Sequence, residues 1–345
     1  MSQLPGKIRT AIEAPTFDPC LRGRIAEWAE SPAFCAYLSV HDAKIAKKLR
    51  GATEIEGQRD LGYELYVAFI FCVSGCTVVC EPLGQQCRGP DLKVSVGDGS
   101  FYCEVRRIRE SESESSWSDL ARRLEGDLAD LAFRYNSLGL IIDEPYDSFR
   151  YPQSPLELIE EHYHELLDYL RERAAMRFED CELIPVASLP EGLAVLQAQA
   201  PPEGGVPCWG GIVRTVPITG KEYKKFGSIL CEKLRQTVPD SVNVFHINAM
   251  GFEYWADDFT RATKNLLRLR EICPEKFLNT SGFESIERFN EAWTILTACV
   301  VRTSSSSAPM VWENPNAAEP LSSALKAKLH EGIRTPFRGT GELRT

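Results

Sequence analysis

The chain has 345 residues, of which 43% are apolar, and a formal net charge of −10 at pH 7. This length and apolar content are enough for one large packed domain or two ordinary ones, and they exclude a wholly disordered protein. The negative charge excludes a broadly basic coat for binding nucleic acid, although local basic clusters occur at 44–50, 106–109, 221–235 and 261–270.

The cysteines and the start of the chain bear on the cellular compartment. Residues 1–10 lack the apolar stretch of a secretory signal, and the 12 cysteines of a chain without such a signal are expected to be reduced thiols. The uncharged run 65–80 is shorter than the roughly 20 residues that span a bilayer. We therefore expect a cytoplasmic protein that is not associated with a membrane.

The N-terminal segment is predicted to be helical because apolar residues recur there at three- and four-residue spacing. This pattern gives a helical extension over residues 1–59. Asp60 is then expected to cap a further helix over residues 61–71, in which Glu64 is the one acid among apolar residues.

A strand and a hairpin follow this helix. The β-branched residues 77–79 predict the strand. In the hairpin, Asp91 opens one strand, a glycine turn covers residues 96–100, and Glu104 sits inside the next strand. The turn brings the two carboxylates together at the edge of a sheet, where like charges need a cation between them.

Helices and strands alternate through the rest of the chain, which predicts one α/β domain over residues 60–303. Residues 304–345 are expected to be a linker and a tail that packs back on this domain. The predicted helices are 117–135, 155–173, 221–236 and 257–270, and the predicted strands are 138–142, 193–197, 211–216, 242–247 and 294–301.

Three acids and a main-chain carbonyl form a candidate metal site. Glu64, Asp91 and Glu104, with the carbonyl of Val105, provide the hard oxygen ligands that suit Mg²⁺ or Mn²⁺. Arg106 lies two residues after Glu104 and therefore on the same face of its strand. Such a site suits phosphodiester cleavage, because a metal neutralises the phosphate and lowers the pKa of a bound water.

Residues 60–110 resemble the core of the PD-(D/E)XK nuclease superfamily, the restriction-endonuclease-like fold. The helix at 117–135 and the strand at 138–142 continue the order of elements in that fold. The matching residues are Pro90-Asp91 for the PD element, Glu104-Val105-Arg106 for (D/E)XK, and Glu64 for the acid that many members carry on the preceding helix.

The resemblance implies a restriction-endonuclease-like mixed sheet flanked by helices, and a nuclease that needs Mg²⁺ or Mn²⁺. The implied partner is nucleic acid, DNA rather than RNA. The helix that ends at 232–236 looks like the later helix on which some members keep auxiliary side chains, which adds Lys233 and Gln236 to the site. The oligomeric state, monomer or homodimer, is left open.

Arg106 departs from the pattern, because the superfamily has lysine at this position. Arginine cannot act as a base, since its pKa stays above about 12, but its guanidinium can bind phosphate oxygens. Three alternatives follow. Arg106 acts only electrostatically, a lysine from elsewhere such as Lys233 replaces the missing one, or catalysis is lost and the chain is a nuclease-like module that binds nucleic acid or protein.

Purely structural interpretations of the three acids also remain. Glu64 is then a surface acid, Asp91 a turn residue, and Glu104 the partner of a neighbouring arginine. A further alternative is an iron–sulfur protein, although the spacing of the clustered cysteines lacks the close pairs that grip iron or zinc. These cysteines are Cys72, Cys76, Cys80 and Cys87.

Overall fold

The computed structural model describes residues 4–84, 89–109, 112–143, 153–201, 203, 205–215, 221–249, 256–303 and 309–334. The chain divides into two compact units, and each is described by itself. The first takes the residues up to Arg109 together with residues 220–343, and the second takes residues 110–219.

The described residues form helices and strands in alternation, as an α/β protein with two mixed sheets. In chain order these elements are α1 (Gly6–Ile12), α2 (Pro19–Trp28), α3 (Pro32–Val40), α4 (Asp42–Gly51), α5 (Ile55–Val73), β1 (Thr77–Cys80), β2 (Leu92–Val96), β3 (Gly99–Arg107), α6 (Glu112–Leu128), β4 (Ser137–Asp143), α7 (Pro155–Glu161), α8 (Tyr163–Ala174), β5 (Leu183–Pro185), β6 (Ala194–Gln199), β7 (Trp209–Thr215), α9 (Lys221–Leu234), β8 (Asn243–Ala249), α10 (Ala256–Ile272), α11 (Pro274–Ser281), α12 (Ile286–Ile295), β9 (Leu296–Thr303), β10 (Met310–Glu313) and α13 (Ser323–Arg334).

The N-terminal helices belong to the core of the first unit. Side chains of α1 and α3, such as Ile8 and Phe34, share one buried apolar cluster with Phe71 of α5 and Phe101 of β3. Helix α5 carries buried residues along nearly its whole length. Within residues 4–59, helices α1 to α4 and the start of α5 therefore pack into the unit that carries the first sheet.

The predicted cap at Asp60 is wrong. Helix α5 begins at Ile55, so Asp60 lies inside the helix. Its carboxylate instead accepts hydrogen bonds from the guanidinium groups of Arg107, at 3.1 Å, and Arg109, at 2.7 Å. The cap was misplaced because the apolar pattern starts at residue 61, whereas the helix itself begins six residues earlier, at Ile55.

The sheet of the first unit has the strand order β1-β2-β3-β8-β9-β10. The strand pairs β1-β2, β2-β3 and β9-β10 are antiparallel, whereas β3-β8 and β8-β9 are parallel. Because side chains alternate along a strand, Phe101, Cys103 and Val105 of β3 join the cluster that contains α5. Glu104 and Arg106 therefore lie on the opposite face, where Phe245 of β8 packs with α9, α10 and α12.

The second unit has its own sheet, in the order β5-β6-β4-β7, and its own core against α6, α7 and α8. The prediction that 138–142 continues the order of the first sheet is wrong, because β4 pairs with β6 and β7 instead. The parallel neighbour of β3 is β8, after the second unit. The two-unit division thus differs from the single domain expected over 60–303.

Among the described helices, none combines the length and the apolar character that a membrane span would need.

Candidate active site

Three elements of the first unit bring the predicted acids towards one another. Glu64 lies in the middle of α5, Asp91 directly precedes β2, and Glu104 lies on β3. Leu92 pairs with Cys103 in the antiparallel ladder, which puts Asp91 across from Glu104. The side chains of Glu64 and Glu104 are buried, and Asp91 is partly buried.

The main chain holds Asp91 in place. Its Oδ2 accepts a hydrogen bond of 2.8 Å from the N–H of Val105. Val105 therefore contacts Asp91 through its amide, whereas its carbonyl was expected from the sequence to bind a metal. The carbonyl of Asp91 accepts a second bond, of 2.7 Å, from the N–H of Glu81. Glu81 has a left-handed backbone, with φ 43°, which is uncommon for a residue other than glycine.

Lysines from α4 neutralise part of this acidic cluster. Lys48 Nζ lies 2.7 Å from both carboxylate oxygens of Glu64 and 3.4 Å from Oε1 of Glu81. Lys44 Nζ donates to the carbonyl of Cys80 at 2.9 Å and lies 3.7 Å from Oε2 of Glu81. Lys48 and Glu81 thus belong to the site, although neither was predicted from the sequence. The four-residue spacing of Lys44 and Lys48 places both on one face of α4 but does not reveal that this face meets Glu64.

Lys233 supplies a cation on the other side of the cluster. Its Nζ lies 2.5 Å from Oε1 of Glu104, and it donates to Oε1 of Gln236 at 3.3 Å. Both residues were expected at the site from the resemblance; the structure brings Lys233 to Glu104, and Gln236 contacts Lys233. The second oxygen of Glu104, Oε2, is buried and has no hydrogen-bond partner among the described residues.

Arg106 lies on the same face of β3 as Glu104 and is partly buried. Its Nε is buried without a hydrogen-bond partner in the described part of the chain. The structural alternative, a salt bridge of Glu104 with a neighbouring arginine, is wrong, because Glu104 pairs with Lys233. Arg107 instead pairs with Glu56 and Asp60.

Burial raises the pKa values of all three acids, and the charge of Asp91 raises those of Glu64 and Glu104 further. Burial, followed by the charge of Asp91, raises the pKa of Glu64 to about 8, against the opposing effect of Lys48. The same two causes raise the pKa of Glu104 to about 7, against Lys233. Burial also raises the pKa of Asp91. The lysines therefore do not fully offset the cost of ionising these acids, and a bound cation would favour their charged form.

The fit of a metal to these residues is partial. Among the described residues, no group of three or more His, Cys, Asp or Glu side chains is arranged to hold a metal ion. Lys48 occupies both oxygens of Glu64, so Glu64 does not fit as a ligand in this arrangement. The unpartnered Oε2 of Glu104 and the Oδ1 of Asp91, which lies outside the bond to Val105, do fit a Mg²⁺ ion that keeps most of its waters.

The cysteines near this site are buried thiols. Burial raises the pKa values of Cys72 and Cys80 to about 12, and it also raises the pKa of Cys76. All three are free, and Cys87 lies outside the described residues. Raised thiol pKa values oppose the thiolate form that binds iron or zinc.

No family model, curated protein or solved structure matches the chain.

Proposed function

We propose that the chain is a metal-dependent nuclease that hydrolyses phosphodiester bonds of nucleic acid, DNA rather than RNA. The observation that carries the proposal is that Asp91 lies close enough to Glu64 and to Glu104 for its charge to raise the pKa values of both. Perturbed acids that share a site are more common at functional centres than elsewhere.

The order of elements in the first unit also supports the proposal. Helix α5, the antiparallel strands β1, β2 and β3, helix α9 and the parallel strand β8 follow one another with the second unit inserted after β3. Helix α9 and strand β8 thus take the places expected for the helix at 117–135 and the strand at 138–142. We propose a restriction-endonuclease-like fold for this unit on that basis.

The residues divide the chemistry between them. A bound Mg²⁺ or Mn²⁺ would neutralise the phosphate and lower the pKa of a water. Asp91 and Glu104 would hold this ion, with Glu64 added once Lys48 turns to Glu81. Arg106 would bind phosphate oxygens through its guanidinium. Lys233, beside Glu104, would supply the lysine that β3 lacks.

Cleavage assays with a matched double variant test this proposal. Asp91→Asn/Glu104→Gln keeps side-chain size while it removes both charges. Wild-type protein, with Mg²⁺ or Mn²⁺, should cleave DNA at least about a hundredfold faster than the variant. Single- and double-stranded DNA and RNA identify the substrate, and circular dichroism checks that the variant is folded. Equal cleavage by the two proteins contradicts the proposal.

A second candidate is a nuclease-like module that binds nucleic acid or protein without cleaving. The pairing of Lys48 with Glu64 and of Lys233 with Glu104 favours it, because a lysine in each case takes oxygens that a metal would use. Calorimetric titration with Mn²⁺ separates the two candidates. A nuclease binds Mn²⁺ through Asp91 and Glu104 and loses this binding in the double variant, whereas the inactive module gives no binding in either protein.

We also propose that the protein resides in the cytoplasm. All described cysteines are free thiols, which supports a reducing compartment such as the cytoplasm.

A further inference from the structure

A cleft of about 630 Å³ lies between helices α9, α10 and α11 of the first unit. Its volume falls within the range of small-molecule sites, about 300–1,000 Å³. Lys224 lines the cleft, whereas Lys233 of the same helix faces Glu104. Because these two lysines are about two and a half turns apart, they lie on opposite faces of α9. The cleft is therefore separate from the acidic site.

The charge of the cleft wall is opposite to that of the chain. The chain has 49 acids against 39 lysines and arginines, yet the described part of the lining includes no acid. They include three cations, Lys224, Arg268 and Lys276. Within the described residues, no side chain forms an ion pair with any of the three. The cleft thus offers three uncompensated positive charges to a ligand.

The apolar part of the wall is aliphatic. Ala262, Leu266, Leu269 and Ile272 of α10 line the cleft, and Ile272 is 63% exposed. Gly227 of α9 also lines it. Among the lining residues that the structure describes, none is aromatic, so these residues offer a nucleobase no ring on which to stack. An aliphatic chain is the better match for this wall.

We propose that the cleft binds a small amphiphilic phosphomonoester. Its aliphatic chain lies against Leu266 and Leu269, and its phosphate group lies among Lys224, Arg268 and Lys276. A phosphomonoester carries a charge of about −1.5 to −2 near neutral pH and three acceptor oxygens, which suits three cations better than the single charge of a carboxylate. The proposal is independent of nuclease activity.

Cys273 provides a direct readout of binding. It lines the cleft and is exposed, whereas Cys20 is exposed on α2, outside the cleft. We would measure alkylation of both thiols in the full chain by mass spectrometry. Octyl phosphate, below its micelle concentration, should slow alkylation of Cys273 by about tenfold at about nine times its Kd, because protection follows 1 + [L]/Kd. Alkylation of Cys20 should not change.

Matched variants test the role of charge. Lys224→Ala/Lys276→Ala removes two cations of the cleft, and both side chains are exposed, so the fold should tolerate the change. Protection by octyl phosphate should weaken by about tenfold or more in this variant. Lys264→Ala, at an exposed position of α10 outside the cleft lining, should retain full protection.

Several ligands test the chemistry of the occupant. Octanol lacks the charge and inorganic phosphate lacks the chain, so each should protect Cys273 more weakly than octyl phosphate. Equal protection by octanol or by inorganic phosphate overturns the proposal. Protection only by phosphatidylcholine vesicles that contain phosphatidic acid assigns the cleft to a lipid surface, and protection only by an oligonucleotide assigns it to nucleic acid. Either result overturns the proposal.

Discussion

At the scale of single residues, Lys48 balances the charge of Glu64, with its Nζ 2.7 Å from both oxygens. At pH 9, above the pKa of about 8 of Glu64, Lys48→Met leaves a charged, buried carboxylate without its partner and should lower the free energy of unfolding by about 3 kcal/mol. Urea denaturation measures this loss. Arg50→Met removes the same charge from an exposed position of α4 and should change stability little.

The double variant Lys48→Met/Glu64→Gln completes this experiment. Because the buried negative charge is then absent as well, it should recover most of the stability that Lys48→Met loses. A double variant as unstable as the single one would show that Lys48 acts through packing of its side chain and not through its charge.

The raised pKa of Glu64 predicts a pH dependence of stability. The reference pKa of this carboxyl is 4.5, and in the folded chain burial and the charge of Asp91 raise the pKa to about 8. Between these values the folded state binds more protons than the unfolded state, so stability falls as pH rises. Glu64→Gln removes this contribution. The free energy of unfolding should therefore fall less steeply in the variant than in wild type between about pH 5 and pH 8.

Arg106 stands where the nuclease superfamily has lysine, and the proposal that Lys233 supplies the missing lysine can be tested. Lys233→Met should lower cleavage by about a hundredfold or more, because it removes the lysine beside Glu104. Arg106→Lys, added to that variant, returns a lysine to β3 and should restore part of the activity. Lys224→Met, at an exposed position of the same helix, serves as the control for charge. Full activity of Lys233→Met would assign Lys233 to stability alone.

The residues of the site were predicted unequally well. Asp91 and Glu104 follow from the hairpin, because a short turn fixes the register between two neighbouring strands. Lys48 depends on how α4 packs against α5, and local spacing does not reveal such a contact. Glu81 was missed because its left-handed backbone and its bond to Asp91 are set by the end of β1, not by residue type.

At the scale of elements, Gly62 lets α2 and α5 approach closely. A Cβ at this position would lie 2.6 Å from Cδ1 of the buried Leu21. Gly62→Ala should therefore lower the free energy of unfolding by about 1 kcal/mol, because overpacking exceeds the gain in helix propensity. Gly57→Ala, in the first turn of α5, meets only ordinary contacts at 3.7 Å and should be neutral or slightly stabilising. Thermal denaturation of both variants distinguishes these outcomes.

Helices and strands were easier to predict than their partners. The apolar periodicity of α5, and the β-branched and apolar runs of β1, β4 and β8, are local signals, so these elements were expected close to where they occur. The predicted start of α5 was six residues too late, because most of the residues from Ile55 to Asp60 are polar. The sheet to which β4 belongs was also misjudged, since a buried strand carries no mark of its neighbours.

At the scale of the whole molecule, the second unit has its own sheet and its own core, which includes Trp117, Leu124 and Leu140. A fragment of residues 110–219 should therefore unfold cooperatively by itself. Calorimetry of the isolated fragment measures this. Leu140→Ala should destabilise the fragment by about 2–5 kcal/mol, because it leaves a cavity in the core. A broad, non-cooperative transition in the unmodified fragment would contradict the prediction.

The pairing of Glu104 with Lys233 also dictates an order of events during protein synthesis. Glu104 leaves the ribosome before the whole second unit, whereas Lys233 and strand β8 leave after it. A nascent chain that ends within the second unit has neither the cation for Glu104 nor the parallel neighbour of β3. The second unit can complete its own core at that stage, because domains fold as units while synthesis proceeds. The inserted unit is thus the first to mature on the ribosome, and the acidic site is among the last.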